Sequence, residues 1–353
     1  MHSYLSRIDW QDRTQRLCNK KVALYGAGKY GKNAMTNIKK YLPQLEILCF
    51  LDDDKIRNSE NIEGIGVATL EEAVRIYGDF NILITNYYVA SVLRKIEKAE
   101  FDIDKVFFWS ELLIEDIDYA YLKENQGKLC EAYNSLSDDL SKMIFQNMVN
   151  SRWDKNIDFL SRTCEKEQYF PMDIFEWNEE EVFVDAGAYD GDTIENFLAV
   201  TGQKYKYIYA FEPDEKNYKK LLQRGFEDKI QIFHAGLYNE NGEVHFSGNK
   251  GGSSKVEEEG TCSIPVLKFD DLQLPEKDIT FIKMDIEGSE LSALYGMKKT
   301  IIKNKPKLAI CIYHKFEDLW ELPLYIKSLV PDYKLYIRNY TTYLDEIVLY
   351  AAI

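Results

Sequence analysis

The stretch FVDAGAYDGDT, residues 183–193, decides how the second half of the chain folds. Residues 182–184 form a short apolar run that predicts a buried strand, with Asp185 at its carboxyl end. Gly187 permits a tight turn, and Gly191 lets a helix begin close to a ligand. Because ligands of open α/β sheets bind beyond the carboxyl ends of the strands, this loop is predicted to line a binding site.

The charges of the loop favour a cationic ligand over a phosphorylated one. Asp185, Asp190 and Asp192 would repel a pyrophosphate, which prefers unopposed backbone N–H groups at a helix N-terminus. S-Adenosylmethionine, with an ammonium group, a sulfonium and no phosphate, suits the loop better. Glu212 ends the next predicted strand, 21 residues after Gly191. An acidic residue there can accept hydrogen bonds from both ribose hydroxyls, although it could also be an N-terminal charge of the following helix.

Two later strand ends carry candidate catalytic residues. Asp285 follows ITFIKM, and with Glu287 it would either orient the substrate or cap the next helix, which is the role expected for Glu290. No metal is assigned to Asp285 and Glu287, since no third ligand is evident nearby in the sequence. His314 ends the following strand and is the predicted general base, because the usual pKa of histidine suits proton removal near neutrality. The alternative is a structural, hydrogen-bonded histidine.

Five motifs in this order resemble the FkbM family of S-adenosylmethionine-dependent methyltransferases. They are VFVDAGAYDGDT, AFEPD, FIKMDIEGSE, YHKFEDLWELP and IVLYA, and the resemblance covers roughly residues 165–353. It implies a seven-stranded class I methyltransferase sheet whose last strand is antiparallel. It also implies methyl transfer to an oxygen, often on a sugar.

Motif and position together assign the predicted site residues. Those expected to bind the cofactor are Asp185, Gly187, Asp190, Gly191, Glu212 and Gly236. The resemblance implies that the first three hold the methionine part of S-adenosylmethionine, that Glu212 holds the ribose and that the segment around Gly236 lies near the adenine. Asp285 and His314 are expected to face the acceptor as catalytic residues.

A second glycine loop lies near the N-terminus, in KVALYGAGKYGKNAMTNI, residues 21–38. Gly26, Gly28 and Gly31 follow the G-x-G-x-x-G order, and Asp52 ends the next predicted strand. The pattern predicts a nucleotide or nucleotide sugar as ligand, the latter in preference to NAD. With four predicted strands and no evident acid or base for hydride transfer, an empty scaffold or an oligomerisation module is an equal alternative.

Alternating strands and helices predict an α/β protein with parallel sheets. The boundaries expected are a Rossmann-like nucleotide-binding-type domain at 1–110, a helical linker at 111–178 and a class I methyltransferase domain at 179–353. Between the third and fourth strands of the last domain, an inserted hairpin with a glycine-rich turn is predicted. A chain of 353 residues suits about two domains.

Composition restricts the partners. A net charge of −15 disfavours nucleic acid and anionic membranes. The six cysteines form no C-x-x-C pair, and no apolar run reaches the length of a membrane span, so a cytoplasmic location is predicted. A homo-oligomer remains open.

The predicted function is an S-adenosylmethionine-dependent O-methyltransferase that acts on a hydroxyl of a sugar or glycan precursor. One alternative is a sugar-modifying enzyme that uses NAD or a nucleotide sugar in the N-terminal domain. Another is a non-catalytic binding protein with a vestigial site.

Overall fold

The chain forms two compact units. The computed structural model describes residues 17, 20–53, 61–85, 89–109, 119–154, 158–227, 229–246, 262–341 and 344–353. The first unit comprises the described parts of Met1–Tyr119, Asn147–Arg162 and Thr341–Leu344. The second comprises those of Ala120–Gln146, Thr163–Tyr340 and Asp345–Ile353. Among the described residues, no helix is long and apolar enough to cross a membrane.

The first unit is built on a six-stranded sheet with the order β3-β4-β2-β1-β5-β6. Its strands are β1 (Lys21–Tyr25), β2 (Glu46–Leu51), β3 (Asn61–Ile62), β4 (Ile65–Ala68), β5 (Asn81–Ile84) and β6 (Val106–Phe108). Its helices are α1 (Lys29–Tyr41), α2 (Leu70–Tyr77) and α3 (Val89–Lys98), with a short 3₁₀ helix at Ile103–Lys105. All strand pairs are parallel except β3 with β4.

Side chains of β1 are buried on both faces of this sheet. Val22 and Leu24 pack in one apolar cluster, and Ala23 and Tyr25 pack in another. This burial explains why β1 is a continuous apolar run. The expectation of four strands is wrong, because β3 and β4 also join the sheet. These two strands are short and lie in a glycine-containing stretch, so their sequence lacks a clear strand pattern.

The segment predicted as a helical linker is shared between the two units. It contains the helices α4 (Tyr119–Ser135), α5 (Asp139–Asp154) and α6 (Asp158–Thr163). Phe170 and Phe175, which follow them, pack in the core of the second unit with Phe183 and Phe281. The second unit therefore includes residues before the expected boundary at 179.

The main sheet of the second unit has seven strands, in the order β15-β16-β14-β13-β7-β8-β9. They are β7 (Val182–Ala186), β8 (Tyr207–Phe211), β9 (Ile230–Phe233), β13 (Phe281–Met284), β14 (Lys307–Cys311), β15 (Lys334–Asn339) and β16 (Ile347–Ala352). The last strand, β16, pairs antiparallel with both β14 and β15, whereas the other pairs are parallel. The seven-stranded class I methyltransferase sheet is thus confirmed.

The remaining elements of this unit cover and extend the sheet. Its later helices are α7 (Asp192–Val200), α8 (Glu215–Gln223), α9 (Glu290–Gly296), α10 (Lys298–Asn304) and α11 (Asp318–Leu329), with a 3₁₀ turn at Phe269–Asp271. A small sheet contains β10 (Gly236–Leu237), β11 (Gly242–Phe246) and β12 (Cys262–Leu267). The antiparallel pairing of β11 with β12 confirms the predicted hairpin. Its glycine-rich turn lies outside the described residues.

Candidate active site

The carboxyl ends of four adjacent parallel strands bring the predicted site residues of the second unit to one edge. Asp185 lies in β7, Glu212 follows β8, Asp285 follows β13 and His314 lies shortly after β14. In the order of the sheet these strands run β14-β13-β7-β8. The arrangement is the one in which open α/β sheets form a ligand crevice.

Asp185 is completely buried and forms an ion pair with Lys283. The Asp185 Oδ1 atom lies 3.1 Å from Lys283 Nζ, and the two side chains are 0% and 2% exposed. Burial lowers the pKa of Lys283, but the charges of Asp185 and Asp285 outweigh it and raise the pKa above its usual value. Lys283 also donates to the Gly187 carbonyl oxygen at 2.7 Å. Asp185 therefore holds Lys283 beneath the glycine loop, and its expected contact with the cofactor stays a prediction.

The glycine loop passes directly over the ends of the neighbouring strands. The backbone N–H groups of Gly187 and Ala188 both donate to the Phe211 carbonyl oxygen at 3.0 Å. Gly187 has a φ of +81°, and a Cβ atom there would lie 1.9 Å from the Asp285 carbonyl oxygen. Only glycine allows this close approach. Gly191, with a φ of +93°, immediately precedes α7.

The other two loop aspartates also have partners. Asp190 Oδ1 lies 3.2 Å from Arg224 Nη2, and Arg224 Nε donates to the Asp190 carbonyl oxygen at 2.8 Å. Asp192 accepts a hydrogen bond from the Thr193 N–H at 2.8 Å. Cations thus offset two of the three loop carboxylates. The loop is less negative than its sequence indicates, so its carboxylates would repel a phosphate less strongly than expected.

Glu212 is 5% exposed and links the loop to the segment after β8. Its Oε2 atom accepts from the Tyr189 N–H at 2.8 Å, and its Oε1 atom accepts from the Asp214 N–H at 2.8 Å. Burial raises the pKa of Glu212 to about 7, although both N–H groups favour the charged form. Each oxygen keeps a second lone pair, so the carboxylate retains the capacity to accept from hydroxyl groups.

Asp285 is held by two tyrosines. The Tyr169 hydroxyl donates to Oδ2 at 3.0 Å, and the Tyr313 hydroxyl donates to Oδ1 at 2.9 Å. Burial would raise the pKa of Asp285, but Lys283, His314 and the two hydroxyls together hold it below its usual range. Asp285 is therefore a carboxylate at neutral pH, and its side chain is 24% exposed.

His314 is surrounded by carboxylates. Its Nδ1 atom lies 3.1 Å from Glu290 Oε1, and its Nε2 atom lies 3.6 Å from Asp285 Oδ1 and 3.8 Å from Glu287 Oε2. Burial lowers the pKa of His314, but these charges raise it to about 9. The imidazole is thus protonated at neutral pH in the unliganded protein. This pKa differs from the near-neutral value on which the predicted general-base role of His314 depends.

The family model for the methyltransferase FkbM domain matches residues 185–342. The chain therefore contains a segment, residues 185–342, that matches the methyltransferase FkbM domain.

The chain is also similar to one curated protein in sequence and to one solved structure in fold. The 2-O-methyltransferase NoeI of Sinorhizobium fredii (strain NBRC 101917 / NGR234) is 26% identical over 183 residues, covering 44% of this chain and 72% of that protein. The crystal structure of methyltransferase FkbM from Methylobacillus flagellatus KT aligns with a TM-score of 0.73 at 23% identity. That alignment covers 99% of this chain and 98% of the other, so the likeness in fold extends over both units.

Three residues that contribute to the site of the FkbM domain are missed by sequence reasoning. Lys283 lies inside an apolar strand, and a lysine in such a run is a usable sign of a buried acidic partner. Tyr313 directly precedes His314, and its aromatic type alone predicts only packing. Tyr169 lies far away in the sequence, in the predicted linker, so its contact with Asp285 has no local signal.

Gly236 has a less direct position than the other predicted cofactor residues. It is buried in β10, and a Cβ atom there would lie 3.6 Å from a Val266 methyl and 3.9 Å from the Pro213 side chain. These are ordinary packing distances. Gly236 therefore lies beside the turn that follows Glu212, and its expected place near the adenine stays a prediction.

The N-terminal glycine loop also folds as its pattern predicts. Gly28 immediately precedes α1, and a Cβ atom on Gly31 would lie 1.8 Å from the Gly26 carbonyl oxygen. Asp52 Oδ2 accepts from the Ala27 N–H at 3.1 Å. This contact places a carboxylate at one N–H group of the loop. Its negative charge would repel a phosphate bound there. The relatives reported above give no support for a nucleotide in this unit, so that ligand stays a prediction.

Replacing Lys283 by methionine tests the buried ion pair. The Lys283→Met change leaves the Asp185 charge buried without its cation, so we expect a loss of about 3–5 kcal/mol of unfolding free energy. For a unit of this size, the midpoint measured by scanning calorimetry should fall by roughly 10 °C. Adding Asp185→Asn should recover most of the loss. The matched control Lys303→Met removes a lysine of an exposed pair and should hardly shift the midpoint. If Lys283→Met hardly shifts the unfolding midpoint, the ion pair does not contribute to stability as expected.

Proposed function

We propose that this protein is an S-adenosylmethionine-dependent O-methyltransferase that acts on a hydroxyl of a sugar or glycan precursor. The observation that carries the proposal is the pair of carboxylates, Glu212 and Asp285, at strand ends on either side of the glycine loop. The FkbM domain supports methyl transfer, and the relative NoeI, named as a 2-O-methyltransferase, supports an oxygen acceptor.

The cofactor would lie along the glycine loop. Glu212, already oriented by two backbone N–H groups, would accept hydrogen bonds from the ribose hydroxyls through its remaining lone pairs. The methionine part would contact the loop at Gly187, Asp190 and Gly191. Asp185 would act indirectly, because its ion pair fixes Lys283 and hence the Gly187 carbonyl.

Asp285 and His314 would face the acceptor hydroxyl. During transfer the bond between sulfur and the methyl carbon breaks, and a bond between that carbon and the acceptor oxygen forms. The products would be S-adenosylhomocysteine and a methyl ether, and the hydroxyl proton would pass to a carboxylate beside His314 and from there to water. The sulfonium methyl is already electrophilic, so the protein contributes mainly by aligning the two reactants and excluding competing water.

Calorimetric titration of the full chain with S-adenosylmethionine tests the cofactor assignment. We expect saturable binding, and the Glu212→Gln variant should bind roughly 10–100-fold more weakly, since it loses hydrogen bonds to a charged group. The control Glu215→Gln changes an exposed glutamate that pairs with Lys219, and it should bind like the original protein. Absence of binding to the original protein would rule out the proposed function.

Binding of S-adenosylmethionine should strengthen as the pH rises through the pKa of Glu212. With that pKa at about 7, the carboxyl group is largely protonated at pH 6 and largely ionised at pH 8. Only the ionised form offers all its lone pairs to the ribose, so affinity should rise by about tenfold over this range. The dependence attributable to Glu212 is the difference between the original protein and Glu212→Gln. Identical pH profiles would exclude this role.

Turnover should depend on His314 far more than cofactor binding does. We expect His314→Gln to lower the rate of methyl transfer by about 10²-fold, because loss of the imidazolium would misplace the carboxylates that surround it, and to leave S-adenosylmethionine affinity nearly unchanged. Transfer of labelled methyl groups to nucleotide sugars and oligosaccharides measures the rate, and Asp278→Asn, at a side chain that is 81% exposed, serves as control. Full turnover in His314→Gln would show that His314 takes no part in the reaction.

A further inference from the structure

Three side chains from separate segments offer metal ligands at one point. They are Asp285 after β13, Glu290 in the first turn of α9 and His314 after β14, and one donor atom from each lies within 4.8 Å of the other two. Sequence reasoning assigns no metal because a third ligand is missing near Asp285. The fold supplies both Glu290 and His314 at that point.

Several of these donor atoms are buried without hydrogen bonds. Within the described part of the chain, neither nitrogen of His314 makes a hydrogen bond of good geometry; Nδ1 lies 3.1 Å from Glu290 Oε1, whereas Nε2 has no acceptor closer than 3.6 Å, although the side chain is only 9% exposed. The Oε2 atom of Glu290, on a side chain that is 0% exposed, accepts no hydrogen bond there either. Buried polar atoms are normally satisfied, so His314 Nε2 and Glu290 Oε2 at one point indicate a missing partner.

The carboxylates around His314 also carry an excess of negative charge. Glu287 and Glu290 form no ion pair with any lysine or arginine in the described ranges, and His314 is their only basic contact. Lys283 forms its ion pair with Asp185, although its charge also acts on Asp285, and Lys315 donates to the Gly288 carbonyl oxygen. Carboxylates held this close to one another are stabilised by a shared cation.

The backbone holds the ligands in place before any ion binds. Glu290 Oε1 accepts from the Ile286 N–H at 3.0 Å and from the Gly288 N–H at 3.4 Å. Glu287 and Gly288 have φ values of +56° and +90°, so this loop curls in a conformation that side chains rarely adopt. Such strain is concentrated at functional sites. The hydroxyls of Tyr169 and Tyr313 orient Asp285 in the manner of hydrogen bonds that support metal ligands.

We propose that Asp285, Glu290 and His314 bind a divalent cation. Two carboxylates and no thiolate suit a hard cation, and Mn²⁺ is the hard cation that also accepts one imidazole. His314 and Glu290 are buried, whereas the side chains of Asp285 and Glu287 are 24% and 37% exposed, so the open coordination positions face the side of these two residues. There the ion would coordinate the acceptor hydroxyl and stabilise its deprotonated oxygen. That catalytic role rests on the proposed function, whereas binding of the ion does not.

Titration of the metal-free full chain with Mn²⁺, followed by electron paramagnetic resonance, tests the site. We expect tight binding of a single ion and nitrogen hyperfine coupling from an imidazole ligand. His314→Gln should remove that coupling, and both His314→Gln and Glu290→Gln should weaken binding by more than about tenfold. Glu215→Gln makes the same charge change as Glu290→Gln at an exposed site and should bind Mn²⁺ normally.

The possible results separate the two proposals. No Mn²⁺ binding, or binding without nitrogen coupling, would overturn the metal site and leave a histidine paired with carboxylates. If a variant fails to fold, the coupling measured in the original protein still decides. S-Adenosylmethionine binding in the presence of a chelator, without Mn²⁺ binding, would reject only the metal. Mn²⁺ binding without S-adenosylmethionine binding would reject only the methyltransferase proposal.

Discussion

The buried ion pair between Asp185 and Lys283 is the constraint on which the site depends. It joins two adjacent strands, β7 and β13, at the depth where the crevice begins. Removing two charges from water is costly, and the cost is offset only if both stay paired and hydrogen-bonded. Lys283 meets this condition by also donating to the Gly187 carbonyl oxygen, so one cation fixes the strand pair and the glycine loop together. Neither Asp185 oxygen has a hydrogen-bond partner among the described residues, so Asp185 depends on the charge of Lys283.

A second consequence is the separation of charge along the crevice. On the side of the glycine loop, lysine and arginine offset Asp185 and Asp190. On the side of His314, the carboxylates of Asp285, Glu287 and Glu290 surround a single imidazole. Among the described residues, the negative charge that no lysine or arginine pairs with is therefore concentrated around His314, although the sequence alone places it in the glycine loop.

The segment before the FkbM domain contributes to the site through packing. Phe170 and Phe175 lie in the aromatic core of the second unit, with Phe281 and Trp177 among their ring contacts. This packing fixes the position of the neighbouring Tyr169. The backbone N–H of Tyr169 also donates to the Tyr350 hydroxyl at 2.9 Å, which holds this residue in place. The Tyr169 hydroxyl can then reach Asp285. A segment that resembles a linker in sequence thus positions a candidate catalytic carboxylate.

The sequence alone predicts the seven strands of the main sheet of the second unit, both glycine loops and the strand-end positions of Asp185, Glu212, Asp285 and His314, but it misses β3 and β4 of the first unit. These features are local, because apolar runs and glycine spacing act over a few residues. Only the tertiary structure decided that Asp185 meets Lys283, that Glu290 and His314 join Asp285, and that Tyr169 contacts it. Those partners lie on different strands and loops, so their contacts depend on which strands become neighbours in the sheet. The pKa of His314 likewise follows from surrounding carboxylates that its own segment does not contain.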